Sequence, residues 1–228
     1  MSDLPAAVLW DLDGTIVDTE PLWMEAELAL AVRYGATWTG QDALALVGNA
    51  LPESGRYIVE RMGLSITADA VVEELIDHMV RYTAARVTFR PGARDLLAEL
   101  GGLGVPCALV TMSYRRLVEP ILALLPDGTF DAVVVGDEVS EGKPHPEAYL
   151  LAARLLGVDV GDCLAVEDSP SGAASAESAG ARVVVVPHHV VVPAGDRRVR
   201  VDSLAALGVD GLVAAAAVLR GPRPDGDC

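Results

Sequence analysis

The sequence predicts an α/β protein: a doubly wound parallel sheet carrying an inserted all-helical cap. Three observations lead there. Five short runs, Ala6 to Trp10, Val105 to Val110, Phe130 to Val135, Cys163 to Glu167 and Arg182 to Val186, are continuously apolar and not alternating, as strands covered on both faces must be. Segments of helical spacing lie between most of them, among them Ala93 to Leu100, Leu117 to Leu125 and Ala148 to Leu156. A long insert, Ile16 to about Thr88, separates the first two runs and contains no convincing strand.

The first run ends in Asp11 and Asp13, followed by Gly14 and Thr15. On a strand the two carboxylates point the same way while Leu12 is buried. Two like charges held so close call for a cation, and the pair fits a divalent-metal site where one carboxylate attacks an electrophile and its neighbour moves a proton. Taken by itself, the pair is better explained as an acidic surface turn, because short motifs match often by chance.

The insert reads as three helices: Pro21 to Tyr34 stopped by Gly35, Glu53 to Met62 stopped by Gly63, and Ala68 to Arg86 opened by Thr67. Val71, Leu75 and Met79, with Val72, Ile76 and Val80, give the last helix one apolar face. Both connections of the insert emerge beside the DxD turn, as expected of a lid. The expected organisation is a core of residues 1–15 and 89–220, a cap of 16–88 and a frayed tail of 221–228, rich in Pro, Gly and Asp.

With 228 residues and 51% hydrophobic content, the chain can bury a core domain and a smaller one, which excludes disorder. Its formal net charge of -16 argues against nucleic acid and anionic lipid as partners. An anionic substrate would therefore need a local cationic pocket. Cys107, Cys163 and Cys228 are too far apart for a CxxC pair and read as reduced thiols, the first two buried. With acidic Asp3 and only a short apolar run before Asp11, the first residues are not expected to act as a secretory signal, and no apolar run approaches the ~20 residues of a membrane span. A cytoplasmic protein, either a monomer or a weak homodimer, is expected.

In open α/β sheets ligands collect beyond the carboxyl ends of the strands. The residues there are Asp11 and Asp13 after the first strand, Thr111 and Ser113 after the second, Lys143 in the loop after the third, and Glu167, Asp168, Ser169 and Gly172 after the fourth. Acidic metal ligands, a hydroxyl donor and an ammonium are what phosphoryl transfer requires. Each has an ordinary structural reading: Thr111 as a strand end, Lys143 as a solvated loop charge, Glu167 and Asp168 as helix caps. Their shared order at one end of the sheet is much harder to obtain by chance.

On these motifs the chain resembles the haloacid dehalogenase superfamily, specifically the phosphatase branch with a helical C1-type cap, the group of β-phosphoglucomutase-like and sugar-phosphate phosphatases. DLDGT at Asp11 to Thr15, VTMS at Val110 to Ser113, GKP at Lys143 and VEDSPSG at Val166 to Gly172 match its motifs in order. The resemblance implies that Asp11 is the nucleophile forming an aspartyl phosphate and Asp13 the general acid and base. It implies Mg2+ held by Asp11, the Asp13 carbonyl and Asp168, with Glu167 ligating or orienting. Thr111, the Met112 N–H and Lys143 would bind the phosphoryl group. The substrate is a small-molecule phosphate ester, and Asp13 disfavours the halide-displacing branch.

A mutase of the β-phosphoglucomutase type, the competing activity, places a cation in the cap. The stretch Val47 to Gly55 has none, leaving Arg56 just beyond as the one candidate. The DTEPLW segment, Asp18 to Trp23, is similar to that of bacterial hexose and hexitol phosphate phosphatases, which favours hydrolysis of a sugar or polyol phosphate. Glu20, Trp23, Asn49 and Arg90 are the candidate specificity residues, although Trp23 serves equally well as cap core. His78, His145, His188 and His189 show no spacing for a shared metal, and Arg197, Arg198 and Arg200 read as a solvated edge. A phosphate-binding module without turnover would need a missing motif residue, and none is missing. An unrelated nucleotide-binding protein would need a glycine-rich loop that is absent.

Overall fold

The computed structural model describes residues 4–219. The expected tail, 221–228, and Cys228 lie outside the described residues. In chain order the elements are β1 (Val8–Trp10), β2 (Val17–Asp18), α1 (Glu20–Tyr34), α2 (Gly40–Leu44), α3 (Leu51–Met62), α4 (Ala68–Arg86), β3 (Thr88–Phe89), α5 (Ala93–Gly102), β4 (Cys107–Val110), α6 (Arg115–Leu122), β5 (Ala132–Val134), α7 (Glu147–Leu156), β6 (Leu164–Glu167), α8 (Pro170–Ala179), β7 (Arg182–Val185), β8 (Arg198–Arg200) and α9 (Gly208–Val218).

Six strands form one parallel sheet in the order β5-β4-β1-β6-β7-β8. The alternation of side chains sorts each strand between two cores: Val8, Trp10, Leu164 and Val166 face α5 and α9, while Leu9, Cys163 and Ala165 face α7 and α8. The second face is rich in alanine, including Ala148, Ala152, Ala173 and Ala176, so α7 and α8 can lie close against the strands. Strand β1 sits between β4 and β6, with Trp10 opposite Leu109 on one side and Val166 on the other. The chain leaves the sheet in opposite directions from these neighbours, so Asp11 stands at the switch point where such sheets open a crevice.

The insert is helical, as expected, but its two ends are not. Val17 and Asp18 pair antiparallel with Phe89 and Thr88, a two-residue ribbon too short to leave any hydrophobic period. Helix α2 was also not anticipated; Thr39 and Asp42 close it with a reciprocal capping box. The apolar face of α4 is buried through Val71, Val72, Leu75, Ile76 and Met79, and the helix packs on α1, α3 and the core helix α6. Arg116 of α6 reaches Glu73 at 3.0 Å and Asp77 at 2.7 Å on α4, and the Ser171 hydroxyl donates to the Gly48 carbonyl at 2.6 Å. These contacts hold the helical insert down over the strand ends.

The basic cluster is only in part a solvated edge: Arg200 is exposed on the edge strand, while Arg197 and Arg198 are engaged. Residues 198–200 are themselves the last strand; Arg198 pairs with Glu177 at 2.7 Å, and Arg197 donates to the Gly180 and Ala181 carbonyls at the end of α8. Positive charge there answers the carbonyl end of a helix dipole. No helix among the described residues is long and apolar enough to cross a membrane.

Candidate active site

The backbone after β1 turns at Gly14, whose φ of +85° favours glycine and whose missing Cβ leaves room for the Asp168 carboxylate. The parallel pairing of β1 with β6 sets Asp11, just beyond β1, beside Glu167 at the end of β6 and Asp168 just after it. Their carboxylate oxygens lie within 4.8 Å of one another. Three acids so close are tolerable only with positive charge among them.

Lys143 supplies part of it. The side chain is almost wholly buried, and its Nζ donates to Asp11 Oδ1 at 2.7 Å, Glu167 Oε1 at 2.6 Å and the Val110 carbonyl at 2.9 Å. An ammonium has three N–H donors, so this one is saturated. Burial opposes its charge, but Asp11 and Glu167 outweigh burial and push its pKa above the ordinary lysine range. Glu167 also accepts from the Tyr149 hydroxyl at 2.6 Å and from Ser169 at 3.3 Å, and Gly172 leaves the space its carboxylate occupies. Glu167 thus braces Lys143 from beneath and does not line the chamber. Tyr149 escaped the sequence reading because an aromatic on a helix face looks like core.

The Asp13 carboxylate is ringed by hydroxyls. It accepts from Thr19 at 2.6 Å, Ser113 at 2.8 Å and Thr111 at 3.2 Å, while the Thr111 hydroxyl accepts from the Ser113 N–H at 3.0 Å. Thr19 was legible only as the residue following Asp18. Met112 lines the chamber, and its sulfur accepts from the Lys143 N–H at 3.2 Å.

The donor set fits a divalent cation. Asp11 Oδ2 is buried and has no hydrogen-bond partner. Burial first, then repulsion from Glu167, pushes the Asp11 carboxyl up to about 7 against the pull of Lys143. Burial and then Asp11 raise Asp168 well above the usual range. Hard oxygen ligands carrying excess negative charge suit magnesium or calcium.

Burial and then Glu27, Asp13 and Asp18 push Glu20 up to about 7, and burial does the same to Glu27 against the Trp38 N–H bond. For such groups the folded chain holds protons that the unfolded chain has released, so their stabilisation is complete below the unfolded carboxylate range near 4 and is lost as pH rises through about 7. The metal-free protein is therefore expected to melt several degrees lower at about pH 8 than at about pH 5.5, with added magnesium restoring more at the higher pH. Equal magnesium shifts in calorimetry at both pH values would contradict this.

The roof of the chamber comes from the insert: Glu20 and Trp23 of α1, Asn49 in the turn before α3, and Leu51 and Ser54 within α3. Trp23 also packs against both cap cores, so both of its readings apply. Arg90 does not line the chamber. Its Nη1 lies 2.6 Å from His188 Nδ1, and His188 and His189 stand 3.2 and 3.5 Å from Asp18 Oδ1. Sequence spacing kept the two histidines apart from any shared partner, yet the loop after β7 brings them to the hinge ribbon. Because the guanidinium donates to Nδ1, the neutral His188 ring carries its proton on Nε2, facing Asp18, where a metal would need a free lone pair.

This fold and site define a class: parallel-sheet α/β enzymes with an acidic, lysine-braced pocket at the strand ends under a helical insert. The family follows from comparison, because residues 5–180 match haloacid dehalogenase-like hydrolases and the chain belongs to that family. It is 33% identical over 189 residues to the bifunctional riboflavin kinase/FMN phosphatase of Arabidopsis thaliana, covering 82% of this chain but only 50% of that one. It is 32% identical over 175 residues to the phosphorylated carbohydrates phosphatase of Thermotoga maritima, 76% of this chain and 81% of that one. The structure of CbbY from Rhodobacter sphaeroides with xylulose-(1,5)bisphosphate superposes with a TM-score of 0.82 at 28% identity, covering 92% of this chain and 99% of that one. The family and these relatives make the chain an enzyme of the phosphatase kind.

Proposed function

We propose that the protein is a magnesium-dependent phosphatase that hydrolyses a small sugar or polyol phosphate through an aspartyl-phosphate intermediate. The observation that carries this reading is the position of Lys143, whose ammonium bridges Asp11 and Glu167 in a pocket shared with Asp13, Thr111 and Asp168. A lysine buried among acids at the strand ends is the arrangement a site needs when it must hold a dense anion beside a carboxylate.

Asp11 attacks phosphorus with its carboxylate oxygen, and the ester P–O bond breaks to leave the phosphoryl group on Asp11. Asp13 gives its proton to the leaving alcohol oxygen, then takes one from the water that cleaves the acyl phosphate. Thr19, Thr111 and Ser113 orient the Asp13 carboxylate, and on substrate binding the Thr111 hydroxyl and the Met112 N–H turn to a phosphoryl oxygen. Lys143 offsets the charge that Asp11 and the phosphoryl group share. Asp11, Asp168 and the Asp13 carbonyl would hold magnesium, with Glu167 orienting through Lys143; when bound, the ion neutralises phosphoryl oxygens and aligns them for in-line attack. The relative named for phosphorylated carbohydrates supports the substrate class. Arg56, the candidate cation for a mutase, is exposed on α3 and outside the chamber, which favours hydrolysis over transfer.

The purified protein is expected to release phosphate from p-nitrophenyl phosphate with magnesium and to lose at least about a hundredfold in rate when chelated. Undiminished turnover in excess chelator would exclude the metal, and no turnover with any divalent cation would exclude the reading.

A further inference from the structure

Resting on the phosphatase reading, we propose that the chamber selects monophosphates whose leaving group ends in hydroxyl or amine donors and carries no second anion, with Glu20 as the acceptor that makes the choice. The titratable groups lining the chamber are five carboxyl groups, Lys143 and His189. Lys143 has no donor left for the far end of a substrate, since Asp11, Glu167 and Val110 take all three. A cation held between Asp11 and Asp168 would offset the floor and leave the roof as it is.

The roof is acidic. Glu27 is buried and already committed, accepting from Trp38 Nε1 at 2.8 Å. Glu20 lies in the first turn of α1, half-buried, and among the described residues no side chain or backbone group is bonded to its carboxylate. It is the roof acid with neither oxygen engaged, whereas Glu27 has one oxygen taken by Trp38. The segment from Val47 to Ser54 adds Asn49 and Ser54 but no positive charge, and Asn49 spends one of its two amide N–H donors on the Ala45 carbonyl at 3.0 Å. Burial first, and after it the neighbouring Glu27, Asp13 and Asp18, raise Glu20 itself, in keeping with a negative potential there.

A second phosphate or a carboxylate in this space would meet two acids and no cation, and each of those acids that is ionised repels it more than it would in bulk water. A hydroxyl or ammonium group there gains a charge-assisted hydrogen bond instead. The chamber would therefore reject the bisphosphate for which the CbbY complex is named, although the folds agree.

The test is kcat/KM on pairs of equal carbon length: sorbitol 6-phosphate against 6-phosphogluconate, and glycerol 3-phosphate against 3-phosphoglycerate. Glucosamine 6-phosphate set beside glucose 6-phosphate probes the amine. The wild type is expected to favour each polyol over its acid by at least about thirtyfold and to accept the amine at least as well as the hydroxyl. Glu20→Gln should shrink the acid discrimination to a few-fold, and Glu20→Lys should remove or invert it. Equal turnover of polyol and acid by the wild type overturns the inference, as does an acid discrimination that Glu20→Gln leaves intact. If no ester is hydrolysed, p-nitrophenyl phosphate included, the phosphatase reading itself has failed.

Discussion

Asp11→Asn is expected to lower kcat by about 10^4-fold or more while leaving the fold intact or stabilised. The amide keeps the shape of the carboxylate, and its oxygen can still accept from Lys143 Nζ, which sits at 2.7 Å in the native chain. It cannot form an acyl phosphate, so the reaction loses its intermediate and not merely some of its rate. Stability should move the other way. Burial and the neighbouring acids push the Asp11 carboxyl up to about 7, so above that pH the metal-free fold carries an ionised group it disfavours. Replacing it with a neutral amide removes that penalty, and the metal-free variant is expected to melt no lower than wild type at about pH 8 and to gain less from magnesium. Single-turnover assays, with intact mass to detect deamidation back to aspartate, check the first claim; calorimetry checks the second. Turnover above about a tenth of wild type without deamidation removes Asp11 from the nucleophile role.

The contrast between Asp11 and Glu20 marks how far the sequence could be read. Asp11 was visible because its chemistry is local: an apolar run, two acids one residue apart and a glycine turn lie within seven residues, Leu9 to Thr15. Lys143 and Asp168 were legible for the same reason, each sitting directly after a strand or in a short loop whose end of the sheet is fixed by topology. The core strands followed from run composition, except for β8, whose Arg-Val-Arg segment has no continuous apolar stretch; their order in the sheet did not. The hinge ribbon failed because two paired residues show no period. Glu27 was invisible as a chamber residue because its burial depends on α1 meeting Trp38, eleven positions on, across a turn. Thr19, Tyr149 and His188 were likewise placed by contacts between distant segments, as with the 18 positions separating Tyr149 from Glu167. Motif chemistry is written along the chain, whereas the roof that chooses the substrate is written in tertiary packing.

Lys143→Met is expected to cost both activity and stability, with a pH signature that separates charge from packing. Methionine fills most of the volume of the buried stem but leaves Asp11 and Glu167 facing each other without the ammonium that now lies 2.7 and 2.6 Å from them. Breaking a buried pair by removing one partner typically costs about 3–5 kcal/mol, because the remaining charge is uncompensated. Two carboxylates are stranded here, which for a chain of this size corresponds to a drop in Tm of about 6–20 °C at pH 8. The sign with pH follows from the carboxylates. Without Lys143 the Asp11 carboxyl, already raised, rises further, so at about pH 5 a proton takes the place of the ammonium there and the deficit should shrink by at least half. Lys143→Arg keeps the charge but substitutes a planar fork for a compact point donor. It should hold Tm closer to wild type while recovering little of the rate, because a guanidinium cannot meet Asp11, Glu167 and the Val110 carbonyl from one nitrogen. Melting curves at the two pH values, with kcat on p-nitrophenyl phosphate, decide the matter. A Tm deficit in Lys143→Met of the same size at pH 5 and pH 8 would mean that the lysine is valued for its packing, and the electrostatic account of the site would fall with it.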